Sequence, residues 1–165
     1  MENARIAKSH IPGYVARPAV VQADETLSVL DTLKSERGFS SACVTEDGSC
    51  GSKLLGLVTN RDIDFERDRN IMVSKVMTPT AQLTVGLMSN SLADNEKILL
   101  ESKCGKLPII DENGNLVALL TRKSVKNRLN SPLIGEPSIG ADGKLLCGAA
   151  IGTRDSDRVR AKLLA

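Results

Sequence analysis

A short apolar run that stops at a threonine and turns basic occurs twice in this chain. The first copy is Gly56-Leu57-Val58-Thr59-Asn60-Arg61-Asp62. The second is Leu116-Val117-Ala118-Leu119-Leu120-Thr121-Arg122-Lys123-Ser124, with its threonine 62 positions later. Each copy reads as a buried strand that breaks at a polar corner and continues as a helix. The surrounding pattern is duplicated as well. Val20 matches Val85 and Thr26-Leu27 matches Ser91-Leu92 at a spacing of 65, while Gly38 matches Gly105 at 67. With a spacing of 62 at the corners, the first hairpin is expected to be five residues longer than the second. A period this long exceeds the roughly 20–50 residues of a solenoid repeat. Two copies of a small α/β unit, packed about a pseudo-two-fold axis, satisfy it, since neither copy can bury a good core alone.

The element order follows from local signals. Met1–Ile11 reads as the end of a helix, broken at Pro12-Gly13. Ala19-Val20-Val21 is a β-type run. Leu27, Leu30 and Leu33 fall at helical spacing, and Gly38 closes that helix. Ser41–Thr45 and Leu54–Val58 are strands around a polar loop, and Thr59 opens a helix through Phe65. After a connector at 71–80 the order recurs: a strand at Leu83-Thr84-Val85, a helix from Leu92 closed by Gly105, strands at Leu107–Ile110 and Leu116–Leu120, and a helix from Thr121 to Arg128. The fold class is therefore α+β with α/β-type β-α-β-β-α repeats. The expected segments are 1–11, 12–70, 71–80, 81–129, a Pro/Gly/Ser-rich linker at 130–143, and a strand and helix over 144–165.

Composition narrows the function. Hydrophobic residues reach 41% but aromatics only 2%, so the core is aliphatic and base-stacking platforms are scarce. A net charge of +2 does not suit a general nucleic-acid or membrane binder. The sequence has no apolar run of membrane-spanning length, and a cytoplasmic location is the expectation. Four cysteines without a C-x-x-C pair and a single histidine do not suit a zinc site. Cys43 and Cys147 are expected in the core and Cys50 in an exposed loop.

These residues resemble a tandem pair of CBS domains over roughly residues 12–128. The flanks extend the likeness. Pro12-Gly13-Tyr14-Val15, Arg61-Asp62-Ile63-Asp64-Phe65, Gly105-Lys106-Leu107-Pro108-Ile109 and Leu145–Thr153 are similar to the regulatory insert of the IMP dehydrogenase and GMP reductase family and to the strand where that chain returns to its (β/α)8 barrel. The resemblance implies two CBS motifs followed by a strand-helix piece of the barrel. It implies that the chain as given is not an enzyme, because the family's catalytic loop is missing, while the parent is an NAD-dependent oxidoreductase. No tightly bound cofactor is expected; ATP, GTP or GDP would be regulatory ligands, and NAD would belong to the barrel. Purine nucleotides, further copies of the CBS pair and the parent barrel are the expected partners.

The site expected from this is built on Thr59, Asn60, Arg61 and Asp62 at the first corner and Thr121, Arg122, Lys123 and Ser124 at the second. Val20, Val21 and Val85 are expected to flank a base, and Lys106 to reach the same cleft. Thr59 offers a hydroxyl, Arg61 a bidentate phosphate donor, and Asp62 an acceptor for a ribose diol. The plainer reading of Thr59 and Asp62 is a helix cap with a first-turn acid. Ser124 stands where an acid is usual, so the second corner is expected to bind more weakly or differently. Three rivals to a nucleotide-regulated module remain: a structural oligomerisation module, a free-standing nucleotide sensor and an enzyme in its own right.

Overall fold

The computed structural model describes residues 11, 13–130, 135, 138–141, 145, 146, 148 and 150–164. The chain divides into two compact units, Gly13–Ser131 and Met1–Pro12 with Pro132–Ala165.

The Gly13–Ser131 unit holds both repeats. The first comprises β1 (Val20–Gln22), α1 (Leu27–Arg37), β2 (Ser41–Thr45), β3 (Leu54–Thr59) and α2 (Asn60–Ile63). The connector contributes β4 (Thr78–Pro79), and the second repeat comprises β5 (Gly86–Leu87), α3 (Leu92–Glu101), β6 (Lys106–Ile110), β7 (Leu116–Thr121) and α4 (Arg122–Asn130). The sheets run β1-β2-β3-β4 and β5-β6-β7, with one parallel and one antiparallel pairing repeated in each.

The apolar pattern of the strands explains the packing. Ala42, Val44 and Val58 point into a core with Leu27, Leu30 and Ile63 of the helices. Their neighbours Cys43 and Leu57 point the other way and meet Leu116 and Leu119 of the second repeat, with Val15, Val20, Leu83, Val85 and Ile110 at the margin. Each sheet is thus covered on both faces, which is why these strands read as continuous apolar runs rather than as alternating ones. The connector serves the first repeat. Val73 lies in its core, and the Val73 and Ser74 N–H groups donate to the Glu25 and Ala23 carbonyls.

The hydrogen-bond register corrects several expectations. Ser41 pairs with Thr59 and Lys106 with Thr121, so the repeats align at a spacing of 65 through β2 and β6. On that register the counterpart of Gly38 is Lys103 rather than Gly105. Both adopt the left-handed conformation, Gly38 at φ 68° and Lys103 at φ 55°, whereas Gly105 has no positive φ. Lys103 is the one non-glycine residue with positive φ among those described, a conformation that costs a side-chain-bearing residue about 1 kcal/mol or more. The loop between Thr45 and Leu54 is three residues longer than that between Ile110 and Leu116, not five. The strand expected at 83–85 pairs instead at Gly86–Leu87, after a 3-10 turn at Thr80–Gln82. The helix from Thr59 ends at Ile63 instead of Phe65, and Phe65 is 95% exposed. Side chains end it: Arg69 donates to the Ile63 carbonyl at 3.1 Å, and Glu66 and Asp68 accept from backbone N–H groups two residues on.

One substitution between the repeats has a clear packing cause. Val21 and Leu30 of the first repeat correspond to Gly86 and Asn95 of the second. Asn95 is fully buried. Its Nδ2 donates to Tyr14 Oη at 3.0 Å and to the Leu87 carbonyl at 2.9 Å, and its Oδ1 accepts from Asn90. A Cβ on Gly86 would lie 2.6 Å from Asn95 Oδ1 and 2.7 Å from Ile109 Cδ1, so the glycine makes room for the amide.

In the other unit, Ile139 and Leu145 form a single antiparallel bridge and α5 spans Asp155–Leu164. The helix agrees with expectation. The strand expected within 144–153 is limited, among the described residues, to that one bridge; Leu146 and Ile151 are exposed. A barrel strand needs ladder neighbours on both sides. The helix expected at 1–11, the break at Pro12 and the placement of Cys147 lie outside the described residues, apart from Ile11 and Gly13.

Gly86→Ala is expected to lower stability by about 1–3 kcal/mol through overpacking. Gly105→Ala, with nothing within 4 Å of its Cβ position, is expected to change it by less than about 0.5 kcal/mol. Urea unfolding followed by circular dichroism measures both.

Candidate functional site: a cation-lined cleft between the repeats

The corner at Thr59 and the loop at Lys103–Lys106 belong to different repeats but face one cleft. It has a volume of about 790 Å3. The first repeat supplies Ser40, Leu57, Thr59, Asn60 and Arg61; the connector region supplies Thr78, Gln82, Leu83 and Thr84; the second repeat supplies Lys103, Cys104, Gly105, Lys106 and Arg122. Four of these side chains are cationic, Arg61, Lys103, Lys106 and Arg122, and among the described residues no carboxylate lines the cleft.

The fold fixes these groups through matching backbone contacts. The Asn60 N–H donates to the Ser40 carbonyl at 3.1 Å, and the Arg122 N–H donates to the Gly105 carbonyl at the same distance. Each corner is therefore tied to the loop preceding its neighbouring strand. Arg122 Nε donates to the Cys104 carbonyl at 2.9 Å, which orients the guanidinium. Lys106 reaches across the repeats, with Nζ 3.4 Å from the Ser40 carbonyl and 3.3 Å from Ser40 Oγ. Arg61, Lys103 and Arg122 make no ion pair among the described residues.

Electrostatics sets Lys106 apart. Burial holds its ammonium below the ordinary lysine range, Arg61 adds to this, and Asp62 opposes it. An anion in the cleft would relieve the burial cost and raise the value again. Within the seam, burial pushes the Cys43 thiol up to about 12, so it is an inert core group. The three described cysteines are free, with Cys43 buried and Cys50 exposed as expected.

The two corners differ in their local bonding. At the first, the Thr59 N–H and hydroxyl both donate to Asp62 Oδ2, at 2.7 and 2.8 Å. At the second, Ser124 Oγ accepts from the Thr121 N–H at 3.1 Å and donates to the Thr121 carbonyl at 2.8 Å, while the Ser124 N–H donates to Thr121 Oγ1 at 3.0 Å. Both pairs cap their corners. The helix after Thr59 has only four residues, so its dipole is slight, and charge at this corner comes from side chains.

Of the twelve residues expected at the site, Thr59, Asn60, Arg61, Lys106 and Arg122 line the cleft. Asp62 is not among the lining residues, although its charge acts on Lys106. Val20 and Val85 pack into the seam, and Val21 is 2% exposed in the first core, so these three valines do not line the cleft. Thr121, Lys123 and Ser124 are not among the lining residues either. Sequence reasoning missed Ser40, Gln82, Thr84 and Lys103. A consistent spacing of 65 would have exposed Lys103 as the counterpart of a left-handed helix cap.

Lys106→Met is expected to leave the ligand-free fold equally stable or to raise its stability by up to about 1 kcal/mol, because it removes a partly desolvated charge. The folded-state pKa lies below the unfolded one, so the lysine's protonation opposes folding below that window. This opposition fades as pH rises from the depressed value towards the ordinary lysine value of 10.5. Thermal unfolding of both proteins at neutral and alkaline pH measures this: the gap should narrow at alkaline pH.

Comparisons with known proteins agree with this architecture. The CBS domain family profile matches residues 71–131. The chain is 40% identical over 162 residues to an inosine-5′-monophosphate dehydrogenase of Schizosaccharomyces pombe, and 40% over 157 residues to that of Toxoplasma gondii. These alignments take in 98% and 95% of this chain but 30% and 28% of the relatives, so the chain spans about three-tenths of their length. A Trypanosoma brucei GMP reductase structure in complex with guanosine 5′-triphosphate superposes with a TM-score of 0.72 at 27% identity, over 98% of this chain and 38% of that one. Staphylococcus aureus OpuCA, at 19% identity and a TM-score of 0.62 over 73% of this chain and 98% of its own, shares the fold. Among the described residues no helix is long and apolar enough to cross a membrane. Residues 71–131 thus belong to a CBS domain, and over nearly all of its length the chain is similar to about three-tenths of an inosine-5′-monophosphate dehydrogenase.

Proposed function

We propose that the cleft binds the phosphates of a purine nucleotide, ATP, GTP or GDP, and that occupancy regulates the activity or assembly of a purine-metabolising oxidoreductase. The observation that carries this reading is a cleft of about 790 Å3 lined, among the described residues, by four cations and no carboxylate. That volume suits a nucleotide-sized ligand, and unpaired cations contributed by both repeats attract a polyphosphate more strongly than a monophosphate. Arg61 and Arg122 offer planar forks for phosphate oxygens, Lys106 and Lys103 supply point charges, and Leu57 and Leu83 give the apolar wall a base requires. Asp62 keeps Oδ1 available for a ribose hydroxyl. The related GMP reductase crystallised with guanosine 5′-triphosphate is consistent with this class of ligand.

In this reading the chain supplies regulation, and the oxidoreductase chemistry with its NAD belongs to the remaining length of a relative such as IMP dehydrogenase. Guanine nucleotide synthesis in the cytoplasm is then the process controlled. Exposed Leu100 and Leu129 favour an additional role in self-association of CBS pairs.

Isothermal titration with ATP, GTP and GDP tests the proposal. At least one should bind in the micromolar to low millimolar range. Arg61→Ala and Lys106→Met should each weaken binding about ten-fold, and the affinity should fall with added salt. Absence of binding at millimolar concentrations of all three overturns it.

A further inference from the structure

We infer that Lys106 is a modification site for acyl phosphates: the cations of the cleft gather the reagent by its phosphate, and the Lys106 amine takes its acyl group. The cleft is the one proposed above for a nucleotide, but this chemistry needs only its anion-gathering character and no purine.

Lys106 opens β6, and its side chain crosses from the second repeat to the first. It is half-buried and lines the cleft. Nζ lies 3.4 Å from the Ser40 carbonyl oxygen and 3.3 Å from Ser40 Oγ. These are long, weak bonds, and the carbonyl already accepts from the Asn60 N–H at 3.1 Å. The amine is thus given a fixed place without being tied up. Among the described residues no carboxylate pairs with it. Lys97 supplies the contrast: its side chain is 73% exposed and its Nζ lies 3.9 Å from Glu101.

The surroundings of Lys106 favour the neutral amine, which is the nucleophilic form. The side chain is partly desolvated and the Arg61 guanidinium acts in the same direction, while the opposing influence of Asp62 is smaller than either.

The same surroundings select the reagent. Arg61, Lys103 and Arg122 line the cleft together with Lys106, and the bond from Arg122 Nε to the Cys104 carbonyl fixes one guanidinium. Such forks hold a phosphate dianion. In an acyl phosphate a single oxygen joins the phosphorus to the carbonyl carbon. A phosphate seated on the guanidinium groups therefore delivers that carbon to a neighbouring amine, and proximity does the rest. Nζ attacks the carbonyl carbon and a C–N bond forms. The C–O bond to the phosphoryl group breaks, inorganic phosphate leaves with the bonding pair, and the surplus proton on nitrogen passes to water. Nothing is oxidised or reduced. The product is an uncharged amide, which removes one of the four cations from the cleft and weakens its hold on any polyphosphate.

The test incubates the full chain with acetyl phosphate and, separately, with acetic anhydride, an acyl donor that carries no phosphate. Peptide mass spectrometry follows acetylation of Lys106 and Lys97 with time. Acetyl phosphate should modify Lys106 about ten-fold faster than Lys97. Inorganic tripolyphosphate should suppress the reaction at Lys106 and leave Lys97 unaffected, and the preference should be smaller with the anhydride. Arg122→Ala should slow acetylation at Lys106 alone. Equal rates at the two lysines, a preference that tripolyphosphate leaves intact, or the same preference with the anhydride overturns the inference. If Arg122→Ala fails to fold, as judged by circular dichroism, the tripolyphosphate and anhydride comparisons on the wild type still decide. The two readings of the cleft fail separately. Tripolyphosphate-sensitive acetylation without nucleotide binding sinks only the nucleotide reading, and nucleotide binding with equal lysine rates sinks only this one.

Discussion

The structure depends on one apolar seam. Cys43 and Leu57 of the first sheet press on Leu116 and Leu119 of the second, while the adjacent side chains on the same strands serve each repeat's own helices. A unit of roughly 60 residues buries too little surface to stand alone, and burying a leucine contributes only about 1.5–3 kcal/mol. Sharing the outer faces of the sheets makes good the deficit. The same contact brings two strand ends and two preceding loops side by side, which is how Arg61 and Lys106, from different repeats, come to face one cleft. Stability and site thus arise from one packing decision.

Polar groups refine what the seam sets up. Asn95 is the plainest case, a buried amide where the first repeat has Leu30. It is tolerated because Tyr14, Leu87 and Asn90 satisfy it and because Gly86 yields the space. The same network ties Tyr14 to the second repeat, where the Val15 and Leu119 backbones also exchange two hydrogen bonds. The segment ahead of the first repeat is thereby held by the second. At the cleft the balance is reversed: cations gather without acids, and the fold bears an electrostatic cost that a bound anion would remove.

Much of this was legible in the sequence because the duplication is strong at its apolar strands and its threonine corners. Those are places where physics leaves few alternatives: a buried strand must be apolar, and a strand-to-helix corner wants a capping hydroxyl. The rest was hidden where one residue type stood in for another. Gly38 and Gly105 look equivalent because glycine commonly ends helices, yet Lys103 takes the left-handed position. That substitution shifted the alignment by two residues and misjudged the hairpin. The short pairing at Gly86–Leu87 was hidden because Leu83 and Val85 carry a β-like pattern while serving the seam. The cleft was half visible. Charged corner residues announced themselves, but Ser40, Gln82 and Thr84 are unremarkable in sequence and join the site only through the packing of the repeats.

The longer first hairpin has a consequence for how the molecule assembles. The Gly51 N–H donates to the Leu116 carbonyl, the Leu116 N–H to the Ser52 carbonyl, and the Leu54 N–H to the Gly114 carbonyl. The hairpin tip thus clasps its counterpart through main-chain bonds that owe nothing to side-chain identity. These contacts join positions some 60 residues apart, so forming them requires closing a long loop, a step that is entropically slow. The clasp cannot precede the seam, and the seam is incomplete at Leu54 and Leu116 without the clasp. The repeats are therefore expected to fold and melt as one cooperative body, although the sequence presents them as two.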